Sequence, residues 1–117
     1  MALHNELGKK GEQLAGEYLH DRGFTVLHRN WKNGRYEIDL IATKDGILHF
    51  IEVKTRQSDT FGLPEEDVDR KKLRSIIYAG EAFCRLHPQW IRIQFDILSI
   101  NIANGKPGYF FIEDVYL

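Results

Sequence analysis

Tyr36-Glu37-Ile38-Asp39-Leu40-Ile41-Ala42-Thr43, Lys44-Asp45-Gly46 and Ile47-Leu48-His49-Phe50-Ile51-Glu52-Val53-Lys54 run on without a break and read as one β-hairpin. Both arms are rich in β-branched and aliphatic residues, the pattern of strands covered on both faces of a sheet. Charges in such strands are costly unless they are paired or hold a cation. Asp45-Gly46 predicts a type I′ turn with Lys44 opposite Ile47. Continued, that register sets Asp39 opposite Glu52 and Glu37 opposite Lys54, all four on one side. Directly opposed Cβ atoms lie about 4.5–5.5 Å apart. Two carboxylates that close repel each other unless a proton or cation sits between them.

This spacing points to metal-assisted phosphodiester chemistry. Mg²⁺ is held by one or two carboxylates and keeps several waters for a phosphate substrate. A lysine beside such a pair can orient or deprotonate an attacking water, or neutralise charge developing on phosphate. The competing reading is a buried salt-bridge lattice with Glu37–Lys54 and Asp39–Arg56 as its pairs. Facing Asp39 and Glu52 count against it, because a purely structural lattice avoids like charges directly opposite.

Outward from the hairpin, residues 5–22 read as a helix. Leu7, Gly11, Leu14, Ala15 and Tyr18 share one of its faces, and Gly23 supplies the stop. Residues 24–31 read as a strand, followed by an Asn33-Gly34 turn. A polar loop spans 57–68, and a second helix runs from Asp67 or Asp69 to His87. Its apolar stripe is Leu73, Ile76, Ile77, Gly80, Phe83 and Cys84. Strands over 91–100 and 109–112 flank a turn at 104–108. The order is α-β-β-β-α-β-β, an α/β protein with a mixed five-stranded sheet and a helix for each face.

The chain has 117 residues, which fits one domain over 1–117. Its net charge is −1, so bulk charge does not hold it to nucleic acid, and any such contact needs a local basic surface. The single cysteine, Cys84, cannot form an intrachain disulfide, which fits a reducing compartment. No stretch approaches the roughly 18 apolar residues of a membrane span, and no signal-peptide core opens the chain. A cytoplasmic location is the expectation.

Asp39 followed by Glu52-Val53-Lys54 resembles the D…E-x-K core of the PD-(D/E)XK nuclease superfamily. The wider text is closer to one family. Gly8-x-x-Gly11-Glu12-x-x-Ala15, Asn30-Trp31, Glu37-Ile38-Asp39-Leu40-Ile41-Ala42, Phe50-Ile51-Glu52-Val53-Lys54-Thr55-Arg56, Phe61-Gly62 and Phe95-Asp96-Ile97 together resemble the YraN-like family of bacterial proteins. That family is similar to Holliday-junction resolvases. The resemblance implies a restriction-endonuclease-like fold and a Mg²⁺- or Mn²⁺-dependent endonuclease acting on DNA rather than RNA, with branched or structured DNA as substrate. It implies metal ligation by Asp39, Glu52 and the Val53 carbonyl, a catalytic Lys54, and a contribution from Glu12. Glu37 is left between a salt bridge to Lys54 and a supporting role behind the ligands. Tyr36 stands where this family more usually has a glycine, and its ring could narrow the approach. The alternative is a non-catalytic nucleic-acid-binding module that keeps the fold.

Further candidates are weaker. Arg56 at the strand end could hold a phosphate, or be a solvated arginine. Arg70, Lys71, Lys72 and Arg74 open the second helix and suit a DNA backbone; the plain reading is a solvated face offset by Glu65, Glu66, Asp67 and Asp69. Lys9, Lys10, Arg29, Lys32 and Arg35 could extend a basic rim. The five histidines show no paired metal spacing and read as surface or structural residues. Cys84, Trp31 and Trp90 read as packing residues. Resolvase-like enzymes act as two-fold dimers, and Tyr109, Phe110, Phe111 and Tyr116 could serve a homodimer interface or close the core.

Overall fold

The structure, a computed structural model, describes residues 2–57 and 70–115, with residues 2–5 as backbone alone. Helix α1, Ala2–Asp21, ends in a Schellman motif: Phe24 N–H bonds to Leu19 O and Gly23 N–H to His20 O, with Gly23 at φ 88°. Glycine takes that left-handed backbone without a Cβ penalty. Strands β1 (Thr25–Asn33), β2 (Tyr36–Lys44) and β3 (Ile47–Gln57) follow, then helix α2 (Arg70–Leu86), β4 (Ile93–Ala103) and β5 (Lys106–Ile112). The expected order α-β-β-β-α-β-β is the observed one.

The five strands form an open sheet in the order β1-β2-β3-β4-β5. β3 and β4 run parallel, and the other neighbours are antiparallel. A parallel pair needs a long crossover, and α2 lies within it. The sheet separates two cores. Ala15 and Leu19 of α1 pack with Leu40, Ala42, Ile51, Leu98 and Ile100 on one face. Ile76, Ala79 and Phe83 of α2 pack with Ile38, Ile41, Leu48 and Phe50 on the other. Trp31, Trp90 and Cys84 pack against the second core, as their sequence positions suggested.

The decisive turn matches its prediction. Asp45 and Gly46 have φ 53° and 79°, and Lys44 pairs with Ile47. The first hairpin turns one residue later than predicted. Asn33 pairs with Tyr36, so Gly34 (φ 61°) and Arg35 are its central residues, the glycine taking the left-handed position. β4 is shifted toward its C-terminus relative to 91–100. β5 starts at Lys106 because Asn104 and Gly105, at φ 53° and 74°, close the turn alone. Pro107 is tolerated in β5 because that strand lies at the sheet edge. The loop 57–68 beyond Gln57, the start of the second helix before Arg70, Phe61-Gly62, the acidic run Glu65 to Asp69 and Tyr116 lie outside the described residues.

Asp96, from the Phe95-Asp96-Ile97 stretch, is buried and serves structure. Its Oδ2 meets His49 Nδ1 at 2.6 Å. Its Oδ1 accepts from Gln94 Nε2 at 2.8 Å and from the Asp114 backbone N–H at 2.9 Å. Tyr109 stacks on Tyr18, with ring centroids 4.6 Å apart, and Phe111 packs on the first core. Phe110 is exposed.

Gly11 seats α1 on the sheet: a Cβ there would overlap the Thr55 side chain, including its Cβ. Thr55 is too short to swing clear, so a side chain must push the helix outward. Gly11→Ala is expected to lower stability by about 1–3 kcal/mol, the usual range for overpacking. A urea titration measures it, and an unchanged midpoint would show that the helix is not held this tightly.

Candidate functional site

A local break in strand alternation builds the site. Residues two apart in a strand normally share a face. Leu40 nevertheless packs in the α1-side core while Ile38 packs in the α2-side core. Their partners on β1 are Arg29 and Trp31, and they diverge in the same way. Arg29 Nη1 reaches Glu12 O at 3.5 Å on α1, whereas Trp31 joins the α2-side core. Between them Asn30 has φ 52°, a left-handed backbone that asparagine tolerates better than most residues.

Beyond this point the hairpin separates. The β2–β3 pairing runs from Lys44↔Ile47 to Leu40↔Ile51, and the expected register holds up to there. Continued, it would join Val53 to the Ile38 backbone. Instead Val53 N–H donates to Asp39 Oδ2 at 2.8 Å. A strand residue's N–H and C=O point to the same edge, so the Val53 carbonyl faces the same gap. The gap belongs to a cleft of about 310 Å³ lined by Leu7, Gly8, Glu12, Asp39, Val53, Lys54 and Thr55. The structure therefore gathers Glu12, Asp39, Val53 and the exposed Lys54 around one opening.

Glu52 stands behind it, 6% exposed. Its carboxyl lies against that of Asp39 and near Lys72. Burial first, and the Asp39 carboxyl second, push the Glu52 pKa up to about 8, while Lys72 pulls it down. Lys72 Nζ sits 3.5 Å from Glu52 Oε2. Glu52 Oε1 is buried without a hydrogen-bond donor. An orphaned carboxylate oxygen against a second carboxyl is a demand for a proton or a cation.

One expectation is corrected. Glu37 does not face Lys54, because the alternation breaks before the pairing reaches them. With the Asn30 amide oriented so that its nitrogen donates, Asn30 bonds to Glu12 Oε1 and Glu37 Oε1, each at 3.2 Å. Glu37 thus lies behind Glu12, linked through Asn30. Lys72, expected as a DNA-backbone contact, has its Nζ 3.5 Å from Glu52 Oε2 and keeps its side chain half exposed. Arg70, Lys71 and Arg74 are exposed, and Lys71 and Arg74 line a separate cleft with Arg35 and Tyr36. Arg56 is half-buried and pairs in register with Asn101 of β4. The sequence reading gave Asn30 no role. Its only local signal is that Asn supports a left-handed backbone, which does not reveal what its amide will bind.

The chemistry of this donor set suits a hard divalent cation. Among the described residues no group of three or more His, Cys, Asp or Glu side chains could hold a metal ion. Mg²⁺ does not need three, since one or two carboxylates with retained waters suffice. Asp39, Glu52 and the Val53 carbonyl fit that requirement.

The sequence signature of "Uncharacterised protein family UPF0102" matches residues 11–100 of the chain. The chain belongs to this family. Among its relatives, a UPF0102 protein of Phocaeicola vulgatus is 44% identical over 115 residues, 98% of this chain and 93% of the relative. One from Bacteroides thetaiotaomicron is 42% identical over 106 residues, covering 91% and 88%. One from Syntrophomonas wolfei is 39% identical over 105 residues, covering 89% and 91%. The YraN-like resemblance is borne out by these matches. Glu12, Asn30, Asp39, Glu52, Val53, Lys54 and Lys72 all fall inside the span that the UPF0102 signature covers. No helix among the described residues is long and apolar enough to cross a membrane.

Proposed function

We propose that this protein is a Mg²⁺- or Mn²⁺-dependent endonuclease that hydrolyses DNA phosphodiester bonds, with branched or structured DNA as substrate. One observation carries the reading: Glu52 Oε1 is buried without a donor while the same carboxyl lies against that of Asp39. A purely structural core would be better off with an amide or an aliphatic group there. Asp39, Glu52 and the Val53 carbonyl would hold the cation. Bound there, it supplies Lewis-acid chemistry to a phosphodiester.

The chain's own groups have separate tasks. Val53 N–H fixes the Asp39 carboxylate at the edge of the cleft. Lys54 is exposed at the rim, where it orients an attacking water or balances charge on the phosphate. Asn30 pins Glu12 and Glu37 beside the opening. Lys72 offsets the charge of Glu52 from the other side.

A second reading, a nucleic-acid-binding module without catalysis, has one specific observation in its favour. Lys72 already gives the buried Glu52 a protein cation. A cleavage panel separates the two readings: single-stranded, duplex, flap and four-way-junction DNA, each with Mg²⁺, Mn²⁺ or EDTA. Cleavage of at least one substrate with either cation and none in EDTA is the expected result. No cleavage of any substrate would overturn the nuclease and leave the binding module.

A further inference from the structure

A second cleft, of about 350 Å³, opens between the β1–β2 turn and the first turns of α2. Arg35, Tyr36, Lys71, Arg74, Ser75 and Tyr78 line it. Lys71, Arg74, Ser75 and Tyr78 recur at helical spacing, so one face of α2 supplies all four. Its described lining holds three cations, two phenol rings and no carboxylate. In a chain of net charge −1, that is a local basic surface and not part of a general excess of charge.

The rings are arranged unequally. Tyr36 packs against the α2-side core. Arg35 Nη2 donates to its hydroxyl at 3.2 Å, and the guanidinium lies 5.3 Å from its ring centre. Tyr78 is 52% exposed, with its ring 5.9 Å from that of Tyr36 and tilted by 47°. A half-open aromatic ring beside three cations matches what an unpaired nucleotide presents, a phosphate for the cations and a base face for the ring. A duplex would use the cations but keep its bases stacked on one another, leaving Tyr78 without a partner.

We propose that this cleft binds an unpaired stretch of DNA, with its phosphate on Arg35, Lys71 and Arg74 and a base stacked on Tyr78. Its consequence for substrate choice rests on the nuclease reading above. Tyr36 and Asp39 lie three residues apart on β2, about 10 Å at the usual strand rise. On this proposal the held strand continues from the cleft toward the carboxylates. The substrate class that follows is DNA with a single-stranded flank at the cut, such as a flap or an open fork, in preference to continuous duplex.

Fluorescence anisotropy in EDTA at low salt tests the cleft without any cleavage. Labelled oligothymidylate and a blunt duplex of equal length serve as probes, with oligouridylate as competitor. Tyr78→Ala is expected to weaken oligothymidylate binding by about 5- to 150-fold, the range set by base–aromatic stacking, and to leave duplex binding unchanged. Tyr78→Phe keeps the ring and should keep the affinity. Arg74→Ala should weaken both probes. Wild-type binding by Tyr78→Ala, equal losses on both probes, or loss in Tyr78→Phe as well would overturn the proposal. Tighter binding of oligouridylate would overturn its assignment to DNA. Intact Tyr78-dependent binding without metal-dependent cleavage would sink the nuclease reading and leave this one standing; the converse result would do the reverse.

Discussion

Asp39→Ala and Glu52→Ala are each expected to lower metal-dependent DNA cleavage by more than about 10³-fold, since each removes both a cation ligand and the electrostatic field at the phosphate. The two losses should not add. Both substitutions disable one carboxylate pair, so the double variant should be no worse than the poorer single one. Lys54→Ala leaves the carboxyls in place and should reduce turnover while metal binding persists. Mn²⁺ titration of each variant followed by cleavage of the substrate that the wild type cuts best separates these effects. Residual cleavage near the wild-type level in Asp39→Ala or Glu52→Ala would remove those residues from the site. Circular dichroism checks that each fold is kept. For Glu52→Ala the fold should survive, because the change removes a buried acid that already lacks a donor on one oxygen.

Much of this arrangement is legible in the sequence, and the reason is local. Asp45-Gly46 selects one turn type, that turn sets one register, and the register sets Asp39 near Glu52 with no knowledge of the rest of the chain. The helices are legible for a similar reason: an apolar stripe ending at Gly23 or before Pro88 needs only short-range spacing. What escaped the sequence depends on contacts between distant segments. The register fails at Asp39 because Asn30 on the neighbouring strand turns left-handed opposite it. No pattern within 36–54 reports that event. Glu37 consequently points toward Asn30 and Glu12, where the hairpin alone would have placed it against Lys54. Lys72 looked like one of four equivalent cations on an exposed helix. Only the packing of α2 on the sheet singles it out, by bringing it to Glu52 and leaving Lys71 and Arg74 on the other cleft.

The same pair makes stability depend on pH in an unusual direction. Most native carboxylates have depressed pKa values, and their proteins lose stability on acidification. Glu52 is the opposite case, pushed from 4.5 up to about 8 by burial and by Asp39. The folded protein therefore holds this proton more tightly than the unfolded chain does. The stability linked to it is fully present below the unfolded value of 4.5 and is lost progressively as pH rises toward about 8. Glutamine mimics the protonated acid and cannot ionise. In EDTA, Glu52→Gln should match the wild type near pH 4.5 and exceed it at pH 8.5 by a few kcal/mol, at about 1.4 kcal/mol for each pH unit crossed. In a domain of this size that is a difference in melting temperature on the order of 10 °C. Carboxylates remote from the pair cancel between the two proteins, so the difference between the two melting curves isolates the Asp39–Glu52 pair. A divalent cation replaces the missing proton. At pH 8.5, Mg²⁺ at about 100 times its Kd should raise wild-type stability by about 2.7 kcal/mol, with little effect on Glu52→Gln. Parallel pH profiles for the two proteins would show that Glu52 is not held protonated by the fold. Equal stabilisation of both by Mg²⁺ would place the cation elsewhere.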